Sequence, residues 1–266
     1  MLAAAVDPEF AVHRNDFAAL LRQDFPVLQK TFNGRPLVYL DNAATTQKPL
    51  AVINRMRDFD CNEYATVHRG NYRLSQEATD KYDQTRELAR QFLNAKSTAE
   101  IVFVKGTTEA INLVATGYGE QFLKAGDEVL ISAMEHHANL LPWLRLRERR
   151  GITLQVVPIT PDGALDMAAF QKLLTEKTKL VAITHVSNVL GTINPVQDII
   201  RLAHAVGAKV LLDGAQAAPH LKVDVQALDC DFYCLSSHKM YGPTGFGLLY
   251  GRAELLAAMA PYQVGG

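Results

Sequence analysis

The sequence predicts an α/β fold: a mixed, mostly parallel seven-stranded sheet with helices on both faces. Three observations predict it. Seven apolar runs of strand length recur between residues 101 and 251. Most are rich in β-branched residues and apolar throughout, which suits strands covered on both faces. Stretches of helical period separate the earlier runs, and strand–helix alternation of this kind builds a mostly parallel sheet.

In chain order the strands are "IVFV" (101–104), "EVLIS" (128–132), "LQVVPI" (154–159), "LVAITHV" (180–186), "KVLLD" (209–213), "DFYCLS" (231–236) and "FGLLYG" (246–251). The helices between them read "TTEAINLVATGY" (107–118), "NLLPWLRLRERR" (139–150), "DMAAFQKLLT" (166–175) and "PVQDIIRLAHAVG" (195–207). The last carries Pro195 near its start and Gly207 as its stop, the expected asymmetry of helix ends. Only Ser237 to Gly245 separate the last two strands. A parallel crossover needs a dozen or more residues, so this pair is expected to be antiparallel. The amphipathic run "SQEATDKYDQTRELARQFLNA" (75–95) is expected to pack outside the sheet. Residues 1–40 read as an arm or part of another domain, and 41–266 as one large domain.

The 266 residues are 48% hydrophobic, enough for a real core. With 27 basic against 28 acidic residues, the chain lacks the basic excess of a nucleic-acid or acidic-membrane binder. The cluster Arg145, Arg147, Arg149 and Arg150 reads as a solvated helix face. No apolar run has the length of a membrane span, and "MLAAAVDPEF" lacks the pattern of a secretory signal. Cys61, Cys230 and Cys234 form no disulfide framework, so a reducing, cytoplasmic setting is expected. Cys230 and Cys234 are expected to be buried structural thiols on one strand.

Chemistry gathers where the strands end. "KGTTE" follows the first, Glu135, His136, His137 and Asn139 follow the second, and Ser187 and Asn188 follow the fourth. "DGAQ" closes the fifth and "SHK" follows the sixth. In an open α/β sheet these ends share one edge, where ligands bind. Glycine, two hydroxyls and free N–H groups at the start of a helix suit a phosphate, although an ordinary capped helix reads equally well there. Ser236 and His238 could add donors to the same anion. Asp213 ends a buried strand and needs a cationic partner, such as a protonated ring nitrogen. His136 offers a flat ring for stacking, Gln216 a donor for a ring oxygen, and Lys239 an amine able to form a Schiff base with an aldehyde. Phosphate, pyridinium, ring oxygen and aldehyde belong together in pyridoxal 5′-phosphate. A metal hydrolase built from His136, His137, Asp213 and His238 is a poor alternative, since no metal-type spacing appears. A nicotinamide dehydrogenase is poorer, since no strand is followed by G-x-G-x-x-G.

"YLDNAATTQKP", "VHRG", "FVKGTTEAINLVA", "EHHANLLPW", "HVSNVLGTINP", "DGAQAAPH" and "DFYCLSSHKMYGPTGFGLLYG" together resemble the cysteine desulfurases, in the SufS-type branch shared with selenocysteine lyases. The resemblance runs from about Phe25 to the C-terminus. It implies the large domain of a fold-type-I pyridoxal phosphate transferase, a homodimer, and conversion of L-cysteine to L-alanine. The sulfur would pass as a persulfide to an acceptor of the SufE type for iron–sulfur cluster assembly. L-selenocysteine is the alternative substrate. Other reactions of the same superfamily, or a non-catalytic scaffold, are the remaining readings.

The resemblance also implies roles. Lys239 would carry the cofactor, and His136 would stack on its ring and move protons. Asp213 would pair with the ring nitrogen and Gln216 with the ring oxygen. Thr108, Ser236 and His238 would hold the phosphate. Asn188 would bind the substrate carboxylate beside the backbone of Ala43 and Ala44, and His68 would sit near the entrance. Tyr72 stands where relatives often carry a second histidine. Family members continue past "PYQVGG" into a small domain with the nucleophilic cysteine, a carboxylate-binding arginine and a hydroxyl donated across the dimer, and none of Cys61, Cys230 and Cys234 matches the nucleophile's motif.

Overall fold

The computed structural model describes residues 17–265. They fall into two compact units that divide between Thr79 and Asp80. The first holds a short antiparallel hairpin, β1 (Thr31–Phe32) and β2 (Arg35–Pro36), and helix α1 (Leu50–Asn62). Helix α2 (Arg73–Leu93) starts in this unit and carries the chain into the second.

The second unit contains one seven-stranded sheet. Its strands are β3 (Ile101–Val104), β4 (Glu128–Ser132), β5 (Thr153–Val157), β6 (Thr178–Thr184), β7 (Lys209–Asp213), β8 (Phe232–Ser236) and β9 (Gly247–Gly251), in the spatial order β3-β9-β8-β7-β6-β4-β5. Every neighbouring pair from β8 to β5 is parallel. β9 is antiparallel to β8, as the short connection requires, and also to β3. It is therefore inserted between two strands that run the same way, an arrangement the connection length does not reveal.

The helices are α3 (Thr107–Leu113), α4 (Leu141–Arg150), α5 (Met167–Leu173), α6 (Val196–Ala205), α7 (Val225–Leu228) and α8 (Ala253–Ala258). Side chains alternate strictly between two cores. Leu130, Val181, Ile183, Val210, Leu212, Tyr233 and Leu235 face one side with Leu93, Phe170, Ile199 and Ile200. Val129, Ile131, Leu180, Leu211, Phe232 and Leu249 face the other with Ile111, Val114, Trp143 and Leu146. Continuously apolar strands thus serve two faces, and burial of both drives the three-layer packing.

Two local expectations are corrected. The helix expected over 107–118 is α-helical only to Leu113 and then widens into a π-helical turn, Val114–Gly119. There Gly119 packs so closely on Leu146 that an added Cβ would lie 2.7 Å from its Cδ2. Cys230 lies before β8 and not on it, although both it and Cys234 are fully buried. Cys61 is exposed on α1. The arginines of α4 form the exposed face expected, with Arg149 paired to Glu120 at 2.7 Å. Among the described residues no helix is long and apolar enough to cross a membrane.

Candidate active site

β3, β4, β6, β7 and β8 run in one direction, so their C-terminal ends share one edge. The polar clusters after these strands meet there. Asp213 ends β7, opposite Thr184 of β6 on one side and Cys234 of β8 on the other. Its carboxylate is buried and its Oδ1 accepts from the Ala215 amide at 2.9 Å. Burial pushes this carboxyl above its ordinary value, while the Ala215 amide, Lys239 and His136 pull it back. Asp213, Lys239 and His136 are thus brought within electrostatic reach of one another. Burial also lowers the Lys239 ammonium, against the attraction of Asp213. A lysine whose charged form is disfavoured by burial, close to a buried carboxylate, suits an aldehyde carrying a ring cation.

Lys239 is aimed by a tight turn. It ends a 3₁₀ turn, Ser237–Lys239, that follows β8 directly. Ser237 fixes that turn: its amide donates to the Phe246 carbonyl at 3.1 Å, and its carbonyl accepts from Met240 at 2.8 Å and Gly242 at 2.9 Å. Its hydroxyl bonds the carbonyls of Pro243 and Phe246.

The start of α3 is stitched to β8. The Thr107 amide donates to Ser236 Oγ at 2.8 Å, and that hydroxyl donates to Thr107 Oγ1 at 2.9 Å. No side chain caps this helix from its N-cap position. Gly106 stands there, at φ +153°. Gly247 makes the approach possible, since a Cβ on it would lie 2.5 Å from the Leu235 carbonyl and 2.6 Å from Gly106 Cα. Thr108, one residue on, lines a cleft of about 380 Å³ with His136, His137, Asn112 and Arg145.

His136 caps the turn His137–Asn139, its Nδ1 accepting from the Ala138 amide at 3.0 Å. The loop below it is held by Glu135, which was prominent in the sequence without an assigned role. Its carboxylate accepts from the Ser132 hydroxyl, from Asn139 Nδ2 at 2.7 Å and from the Thr184 amide at 3.0 Å. Asn139 in turn donates to the Ala182 carbonyl at 3.1 Å and accepts from Trp143 Nε1 at 3.0 Å. Burial pushes the Glu135 carboxyl up to about 7, against these donors.

Gln216 is buried in the segment after β7, and His238 is half-buried beside Lys239. Asn188 is half-buried in the loop after β6, whose turn is closed by Ser187 Oγ accepting from Leu190 at 3.1 Å. Ala43, Ala44 and His68 belong to the first unit. There the Ala44 amide donates to the Asp41 carbonyl at 3.2 Å, and the Tyr39 hydroxyl to the Thr45 carbonyl at 2.7 Å. His68 takes a left-handed conformation, φ +65°, and its amide donates to Thr79 Oγ1 at 2.9 Å.

Sheet, edge and side chains together define an open α/β domain whose candidate site is a buried carboxylate, a half-buried lysine and a histidine at the carboxyl ends of parallel strands. The sequence model described as aminotransferase class-V matches residues 38–266, and the chain belongs to that family. Over 246 residues it is 60% identical to the cysteine desulfurase of Dickeya dadantii (strain 3937), a match covering 92% of this chain and 60% of that protein. Two solved structures share its fold. The cysteine desulfurase CsdA from Escherichia coli superposes with a TM-score of 0.84 at 42% identity, over 93% of this chain and 61% of that one. The apo cysteine desulfurase from Thermococcus onnurineus NA1 gives 0.86 at 38% identity, over 100% and 62%. The chain is a homologue of cysteine desulfurases and spans only part of their length, 60% of the Dickeya dadantii protein and 39% of that of Synechococcus elongatus (strain ATCC 33912 / PCC 7942 / FACHB-805).

Proposed function

We propose that this chain binds pyridoxal 5′-phosphate through Lys239 and serves the removal of sulfur from L-cysteine. The products would be L-alanine and a persulfide, passed to an acceptor protein of the SufE type for iron–sulfur cluster assembly. The observation that carries this reading is the meeting of Asp213, Lys239 and His136 at one sheet edge, with the carboxyl raised and the amine lowered by burial.

Bound there, the cofactor supplies an electron-accepting ring that stabilises loss of the Cα proton of an amino acid. Asp213 would keep the ring nitrogen protonated. Lys239 would hold the cofactor's aldehyde, and its amine would be the group able to take and return a proton at Cα. His136, held by the bond from the Ala138 amide to its Nδ1, would stack on the ring. Gln216 would bond the ring oxygen, and Thr108, Ser236 and His238 would hold the phosphate. Asn188, Ala43, Ala44 and His68 are assigned to the substrate side. The sulfur-accepting thiol is neither Cys230 nor Cys234, because burial raises both thiols and keeps them protonated. A homodimer is the expected assembly.

Borohydride reduction of the chain with pyridoxal phosphate, followed by peptide mapping, tests this assignment. A single modified lysine at position 239 supports it. Modification elsewhere, or none in folded protein, overturns it.

A further inference from the structure

Behind Asp213 lies a buried polar pair that the proposed chemistry does not use. Tyr233, on β8, is fully buried, and its hydroxyl lies 3.2 Å from Nδ1 of His185, which is itself buried just beyond β6. The two rings meet edge to face, 6.0 Å between centroids at 89°. Burial raises the phenol and lowers the imidazole, which favours the neutral form of each.

A satisfied buried tyrosine could be core packing and nothing more. Here, however, both partners also grip the turn that carries Asp213. The His185 amide donates to the Asp213 carbonyl at 2.8 Å. Gly214 rests on the phenol, and a Cβ placed on it would lie 2.1 Å from Cε1 and 2.4 Å from the hydroxyl of Tyr233. The Gly214 amide donates to Cys234, the next residue of the same strand, at 2.9 Å. The Ala215 amide then donates to the Asp213 carboxylate at 2.9 Å. A closed circuit therefore runs from the Asp213 carbonyl through His185 and Tyr233 to Gly214 and back to the Asp213 carboxylate.

We propose that Tyr233 and His185 are positioning residues for Asp213: the imidazole fixes the phenol, and the phenol sets the position of the Asp213–Gly214–Ala215 turn. The role rests on Asp213 being the partner of the ring nitrogen, as proposed above. The reason for a rigid support is the burial of the carboxylate, whose interaction with a ring cation is strong in a low-dielectric site and sensitive to its placement.

The test begins without cofactor. Tyr233→Phe keeps the ring and removes the hydroxyl, while His185→Asn places an amide where Nδ1 was. In the 266-residue chain, amide hydrogen exchange is read by NMR at His185, Gly214 and Ala215, with Val129 and Leu130 of β4 as controls. Tyr233→Phe is expected to speed exchange about tenfold at the first three amides, the loss of one modest hydrogen bond, and to leave the controls unchanged. His185→Asn should stay close to the parent. No local change in Tyr233→Phe, or an equal change across the sheet, overturns the proposal.

With pyridoxal phosphate added, the pH midpoint of the visible band should move by about half a unit or more in Tyr233→Phe. An unmoved midpoint alongside a normal band also overturns it. If the parent chain shows no band, the cofactor assignment fails, and the exchange measurement alone decides whether the pair holds Asp213.

Discussion

The Thr107 amide and the Ser236 hydroxyl are 129 positions apart in sequence and 2.8 Å apart in space. That bond ties the first turn of α3 to the end of β8, immediately before the turn that carries Lys239. Ser236→Ala leaves a buried N–H without its acceptor, which should cost about 1–3 kcal/mol of stability. Urea unfolding would measure it, and the same variant should bind pyridoxal phosphate more weakly. Unchanged stability would mean that Thr107 finds another acceptor.

Gly247→Ala should be more disruptive than a methyl group normally is. The new Cβ would meet two backbone atoms, Leu235 O and Gly106 Cα, and neither can step aside like a flexible side chain. A loss of about 1–3 kcal/mol is expected, the usual range for overpacking, together with loss of the visible cofactor band. Thermal melts with and without cofactor would separate the two effects.

Glu135 should make stability depend on pH. Its folded carboxyl titrates at about 7 against an ordinary 4.5. Between those values the folded state holds the proton and the unfolded state does not, so stability falls as pH rises from about 4.5 through 7. The contribution is on the order of 3 kcal/mol. Asp213, also raised, has the same sign, and His185, lowered, has the opposite one. Comparing Glu135→Gln with the parent isolates the Glu135 share: the variant should lose part of the downward slope. An identical slope in both would show that folding does not raise the Glu135 carboxyl.

At the opposite edge of the sheet, Asp231 is fully buried beside a histidine and two cations. Its Oδ2 lies 2.8 Å from His204 Nε2 and accepts from the Val210 amide at 2.8 Å. Its Oδ1 meets Lys209 at 3.3 Å and Arg252 at 3.2 Å, by charge and not by aligned hydrogen bonds. Asp231→Ala should cost about 3–5 kcal/mol, because Lys209 and Arg252 lose their buried counter-charge and His204 and the Val210 amide lose their acceptor at once. His204→Ala should cost less, since Lys209 and Arg252 remain in place. Urea midpoints for the two variants would check the order.

Much of the second unit was legible in the sequence because its information is local. β7 reads as a strand from "KVLLD" alone, and α6 announces its ends with Pro195 and Gly207. The edge on which Asp213, His136 and Lys239 meet followed from chain direction, since parallel strands must end together. What could not be read is what depends on distant partners. The position of β9 between β3 and β8 is set by pairing, not by its own pattern. Gly106 and Gly247 are informative only once their backbones touch. Glu135 gains its meaning from the Thr184 amide, 49 positions away. Tyr233 looks like one more apolar residue of a core strand until Gly214 is found resting on it.

The central claim is that Lys239 holds pyridoxal phosphate beside Asp213 and His136. Titrating the purified chain with pyridoxal phosphate while recording visible absorption tests it most directly. A saturable band that disappears in Lys239→Ala, with the variant still folded, is the predicted result. A band that survives in Lys239→Ala, or none from folded parent protein, would contradict it.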